Sequence, residues 1–200
     1  MEQTKKIILM LLKKTANIDE RFSWLSLLSN NSVSYEKIEI YDFKNKCEIK
    51  NLQNLIYKLF NDDRRSLVIG PCATGIPWND FADIVEEIEN YEIPIRLDSK
   101  YDNEFEVRFM KMMVENGIEY DYKGYCEILN WNQLLDLVLS IVINVKGTDS
   151  LKFYNIDGSY CFYPHYTCSI GVYYKEMNEK IDRIIRRANR MGACIEYIKE

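Results

Sequence analysis

Apolar residues at positions 49, 52, 55, 56, 59 and 60 fall at helical spacing and predict a helix over Ile49 to Phe60. The same period predicts a first, mostly buried helix from Glu2 to about Thr15 and a second from Ile18 to Leu28, with Phe22, Leu25 and Leu28 on one face. Asn79 is placed to cap a helix running to about Asn90, with Phe81, Ile84, Val85 and Ile88 inward. Asn103 to Asn116 reads as a helix closed by Gly117. Asn130 or Asn132 caps a further helix reaching Val145. Lys175 to Met191 is amphipathic, with Met177, Ile181, Ile184, Ile185 and Ala188 inside and Gly192 as its stop.

Other stretches carry strand patterns. Lys37 to Phe43 alternates apolar and polar residues, and Ser66 to Gly70 is a short apolar run. Ile93 to Leu97 reads as a strand whose Pro94 confines it to an edge or a strand start. Ile118 to Tyr122 and Gly124 to Leu129 are predicted to pair as a hairpin. A second hairpin joins Leu151–Tyr154 to Ser159–Tyr163 across Asn155-Ile156-Asp157-Gly158. Cys168 to Tyr174 and Ala193 to Ile198 complete the strands.

Helices and strands intermix without strict alternation, which points to an α+β (mixed α/β) class. The expected architecture is a central mixed sheet with flanking helices, ending in an antiparallel hairpin and a long amphipathic helix. Residues 1–200 are expected to form a single domain. A break near Lys146-Gly147-Thr148 divides a helix-rich subregion, 1–146, from a sheet-rich one, 147–200, whose roughly 50 residues would make a marginal core alone. At 47% hydrophobic and 28% charged, the composition is that of an ordinary globular protein.

Lys5-Lys6 and the apolar run Ile7 to Leu12 superficially resemble an export signal. The run is short, ends at Lys13-Lys14 and lacks a small-residue cleavage site. Leu134 to Val145 contains Asp136 and Asn144 and falls short of the roughly twenty apolar residues of a membrane span. The expected location is the cytoplasm. The six cysteines, at positions 47, 72, 126, 161, 168 and 194, are scattered, and free buried thiols are the expected state.

Charge changes the picture. From Asn79 to Asn130 the chain has fourteen acidic residues and five basic ones, whereas the whole chain carries a net charge of only −5. A surface built from that stretch attracts a cationic partner and repels nucleic acid. Arg183, Arg186, Arg187 and Arg190 form a basic stripe on the last helix, read as a solvated helix side.

Candidate chemistry is sparse. Cys161, His165 and Cys168 place three soft ligands within eight residues, but not at the spacing of a zinc pair. His165 is the one histidine, so an imidazole base must be His165. Cys72 follows a short strand and precedes a predicted helix, where thiolates are activated. Cys72 with His165 would serve a small cysteine-dependent hydrolase or transferase. Gly70 to Gly75 starts like a P-loop, but Ile76-Pro77 stands where Lys-Ser/Thr belongs, and no dinucleotide fingerprint occurs, so no cofactor is expected.

Tyr120, Tyr122 and Tyr125 lie inside the acidic stretch, and tyrosine is enriched at protein interfaces. Acidic residues interleaved with tyrosines suit the capture of a basic protein. In size and charge, though not in motif, the chain resembles bacterial toxin-immunity proteins, acidic globular proteins that block cationic nucleases. The resemblance implies a non-enzymatic protein that masks a basic partner and engages neither nucleic acid nor membrane. The expected contact set is Asp98, Asp102, Glu104, Glu106, Glu119, Tyr120, Asp121 and Tyr122.

Overall fold

Helix α1, Ile49–Phe60, forms where the sequence predicts it and buries Leu52, Leu55, Ile56, Leu59 and Phe60 on one face. It belongs to a computed structural model that describes residues 10–15, 18–25, 35–42, 46–71, 104–119, 122–145 and 151–199. The other helices described are α2 (Glu104–Glu115), α3 (Trp131–Val145) and α4 (Glu179–Met191). The strands are β1 (Leu12–Lys14), β2 (Glu36–Tyr41), β3 (Leu67–Pro71), β4 (Cys126–Ile128), β5 (Leu151–Asn155), β6 (Tyr160–Pro164), β7 (Ser169–Tyr174) and β8 (Cys194–Lys199). They form one eight-stranded sheet in the order β1-β4-β3-β5-β6-β7-β2-β8. The α+β class holds. The expected mixed sheet is antiparallel at every described pairing.

Alternation sends the two faces of the sheet to different cores. Ile38, Ile40, Leu67, Ile69, Phe153, Phe162, Ile170 and Val172 join the helices in the larger cluster. That cluster draws residues from both sides of the break near Gly147. Helix α3 packs on α1 and α2, and α1 also meets α4. On the far face Val68, Tyr154 and Cys161 are covered by Ile18, Phe22 and Trp24.

The ends of α4 follow its sequence. Asn178 Oδ1 accepts from the amides of Lys180 and Ile181, and Gly192 takes the left-handed cap conformation at φ 70°. The helix therefore starts at Glu179, four residues later than its apolar pattern suggests, and Met177, expected inside, lies before the cap and is exposed. Asp63, at the end of α1, is 7% exposed. It accepts two bonds from the Arg183 guanidinium, at 2.8 and 2.9 Å, and one from the Tyr160 hydroxyl at 3.0 Å. Arg187 donates to Asp62 and to the Leu59 carbonyl, and Arg186 pairs with Asp182. The predicted basic stripe thus has Arg183 and Arg187 turned toward α1.

Three of the expected elements differ. The end of the predicted first helix is strand β1, because Asn116 Oδ1 accepts from the amides of Leu11 and Leu12 at 2.6 and 2.8 Å and β4 pairs alongside. Residues 2–9 lie outside the described part. The second predicted helix is a 3-10 segment, Asp19–Leu25, kinked at Phe22. The hairpin predicted over 118–129 is absent among the described residues, since β4 pairs with β1 and β3 instead. Residues 72–103, with the predicted helix after Asn79 and the strand at Ile93–Leu97, lie outside the described part.

Free thiols are the state of Cys126, Cys161 and Cys194, the first two buried and the third exposed. Cys47 and Cys168 instead form a disulfide across a sequence separation of 121. Closing a loop of that length removes denatured-state entropy equivalent to about 4–5 kcal/mol in the chain-entropy account. The scatter that argued against a disulfide framework did not exclude one long-range bond.

Candidate functional site

The predicted contact set lies at the edge of the described residues. Asp98, Asp102, Tyr120 and Asp121 fall outside them, as do the side chains of Glu104 and Glu106 on the first turn of α2. Glu119 is exposed and pairs with Lys14 of β1, whose hydrogen bond holds its carboxyl below the usual range. Tyr122 is half buried. Its hydroxyl donates to the Tyr125 carbonyl at 3.1 Å, and the Lys14 ammonium stands 5.1 Å from its ring. Burial, reinforced by the charges of Cys126 and Glu119, pushes the Tyr122 hydroxyl up to about 12. Glu119 and Tyr122 therefore share one cation, Lys14, beside the β1–β4 edge of the sheet.

A cleft of about 520 Å³ opens between α1, α2 and α3, with Leu11 in its lining. Arg108, Asp136, Ser140 and the carboxamides of Gln53, Asn132 and Gln133 line it. The Tyr57 hydroxyl donates to Asn132 at the same place. Such a lining offers hydrogen bonds of both senses, with one cation and one anion, as a polypeptide surface or a small polar molecule requires.

Of the alternative catalytic pair, Cys72 lies outside the described residues. Pro71 before it and Pro164 before His165 close their strands on one rim, separated by β5 and so by about 10 Å. His165 Nδ1 lies 2.7 Å from Thr167 Oγ1, which lies 3.1 Å from Ser169 Oγ. Its ring stands edge-on to Tyr163 and tilted against Tyr166. The imidazole is thus held by its own turn and its aromatic neighbours.

The alternative metal group is dispersed. The Cys168 sulfur is bonded to Cys47, and Cys161 is fully buried in the far-face cluster. Burial pushes the Cys161 thiol up to about 12, which disfavours the thiolate a metal requires. Among the described residues no three His, Cys, Asp or Glu side chains are placed to hold a metal ion.

One polar assembly escaped the sequence. On the far face Tyr163 stacks on Tyr173 with centroids 5.7 Å apart, and the ammoniums of Lys37 and Lys152 each stand over both rings. Glu39 accepts from the hydroxyls of Tyr41 and Tyr163 and pairs with Lys37 at 3.2 Å. Burial alone would raise the Glu39 carboxyl. The bonds from Tyr41 and Lys37 and the charges of Lys37 and His165 outweigh it and hold the group below its usual range. Its signal was the alternation Lys37, Glu39, Tyr41. The cross-strand partners on β5, β6 and β7 are set by register, which one sequence does not reveal.

Among the described residues no helix is long and apolar enough to cross a membrane. No protein-family model, no curated protein and no solved structure matches the chain.

Proposed function

We propose that the protein is a non-enzymatic binding protein that masks a basic protein partner in the cytoplasm, as bacterial toxin-immunity proteins do. The observation that carries this reading is the excess of nine acidic over basic residues between positions 79 and 130, in a chain whose remainder is net positive. The contact set is Asp98, Asp102, Glu104, Glu106, Glu119, Tyr120, Asp121 and Tyr122. Where Lys14 neutralises Glu119, both groups are solvent-exposed. Exposed pairs hold weakly, so a basic partner can displace Lys14 at small cost. The polar cleft between α1, α2 and α3 offers further hydrogen-bonding groups to a protein partner. Persistent disulfides are rare in a cytoplasm, so this location requires the Cys47–Cys168 bond to cycle.

The test is affinity capture from the native host with the intact protein, beside a variant carrying Asp98→Lys, Glu104→Lys, Glu106→Lys and Asp121→Lys. The reading predicts one enriched protein of high isoelectric point, retained by the native chain and lost by the variant. Equal retention by both chains would contradict it.

A further inference from the structure

The turn between β6 and β7 is closed by two backbone bonds, from Cys168 N to the His165 carbonyl and from His165 N to the Ser169 carbonyl, both 2.9 Å. Such a turn ends on a residue in the left-handed region, normally glycine. Here that residue is Cys168, with φ 61°, and it is the one non-glycine residue at positive φ among those described. A side chain in that region is strained and persists where its surroundings hold it. The disulfide to Cys47 is such a restraint. Cys47 is itself exposed, one residue before the Glu48 cap of α1.

We propose that Cys47–Cys168 is a reversible redox latch that sets the conformation of the His165–Ser169 turn. A dithiol reductant attacks the exposed Cys47 sulfur as its thiolate and forms a mixed disulfide, and the Cys168 thiolate leaves and takes up a proton. The second reductant thiolate then closes on the first and releases Cys47. The S–S bond receives two electrons and two protons, and the dithiol becomes a disulfide. Once the bond opens, nothing covalent offsets the left-handed strain at Cys168, and the turn relaxes. The change reaches His165, whose Nδ1 bonds Thr167 within that turn. Cys126 and Cys161 take no part, because both are buried and burial pushes each thiol up to about 12. Cys194 lies on the same rim, opposite Tyr41, which pairs with Ser169 on its other side. It is an exposed free thiol and is removed in the test. The latch does not depend on which macromolecule the acidic segment meets.

The experiment uses the full chain carrying Cys194→Ser, with thiol alkylation and amide exchange measured before and after dithiothreitol. The oxidised protein should alkylate at neither Cys47 nor Cys168. After reduction both should react while Cys126 and Cys161 stay protected, and the amides of His165 and Cys168 should exchange at least tenfold faster. A second variant with Cys168→Gly added places glycine at the strained position, so its turn amides should remain protected with or without reductant. Alkylation of Cys47 and Cys168 before reduction overturns the proposal. So does exposure of Cys126 and Cys161 on reduction, which would mark a structural staple. Unchanged turn amides, or Cys168→Gly amides as fast as those of the reduced parent, also overturn it.

Discussion

Tyr163 lies across Gly171, its cross-strand partner, so closely that a side chain at Gly171 would overlap the Tyr163 ring. The glycine leaves room for the ring, which stacks on Tyr173 and reaches Glu39. Gly171→Ala should therefore cost about 1–3 kcal/mol through overpacking. Chemical denaturation measures the loss, and Tyr163→Ala in the same background should recover part of it.

Asp63 joins α1, β6 and α4 through Arg183 and Tyr160. Asp63→Asn keeps the shape and removes the charge that holds both donors. The expected loss is about 2–3 kcal/mol, the scale of hydrogen bonds to a charged acceptor. A double-mutant cycle with Arg183→Met should show coupling, because Arg183 donates both its bonds to this carboxylate.

Alkaline titration provides a third prediction. Burial, with the nearby Asp63 carboxylate, holds the Tyr160 hydroxyl far above its ordinary value of 10.0. For Tyr41 the bond to Glu39 is the largest cause of a shift in the same direction. A raised folded value means stability that is complete below pH 10 and declines as the unfolded chain ionises first. Absorbance near 295 nm should show a subset of tyrosines ionising only together with unfolding, and Tyr160→Phe should reduce that subset by one.

On the acid side the sign reverses. The folded Glu39 carboxyl lies below its ordinary 4.5, so its contribution is present above that pH and is lost as pH falls through the lower folded value. Glu39→Gln should flatten the acid limb of the stability curve in that window. Urea midpoints from pH 6 down to pH 3 measure the difference.

What could be read in the sequence was what local pattern dictates. The buried residues of α1, the Gly192 stop of α4 and the β5–β6 hairpin each rest on neighbours a few positions away. Strand β1 has three residues, too few to show a period, and its identity comes from Asn116 more than a hundred positions later. The Cys47–Cys168 bond and the Lys-Tyr-Glu assembly depend in the same way on strand order. The uneven charge was plain from composition. The shape of the surface that carries it was not, because pairing with cations such as Lys14 is a tertiary event.

The most direct test of the masking account is the association rate between the protein and its captured basic partner at increasing salt. Electrostatic steering by the acidic segment predicts a rate that falls at least tenfold from about 50 to 500 mM salt, with the fall abolished in the charge-reversed chain. A rate indifferent to salt in the native chain would contradict the account.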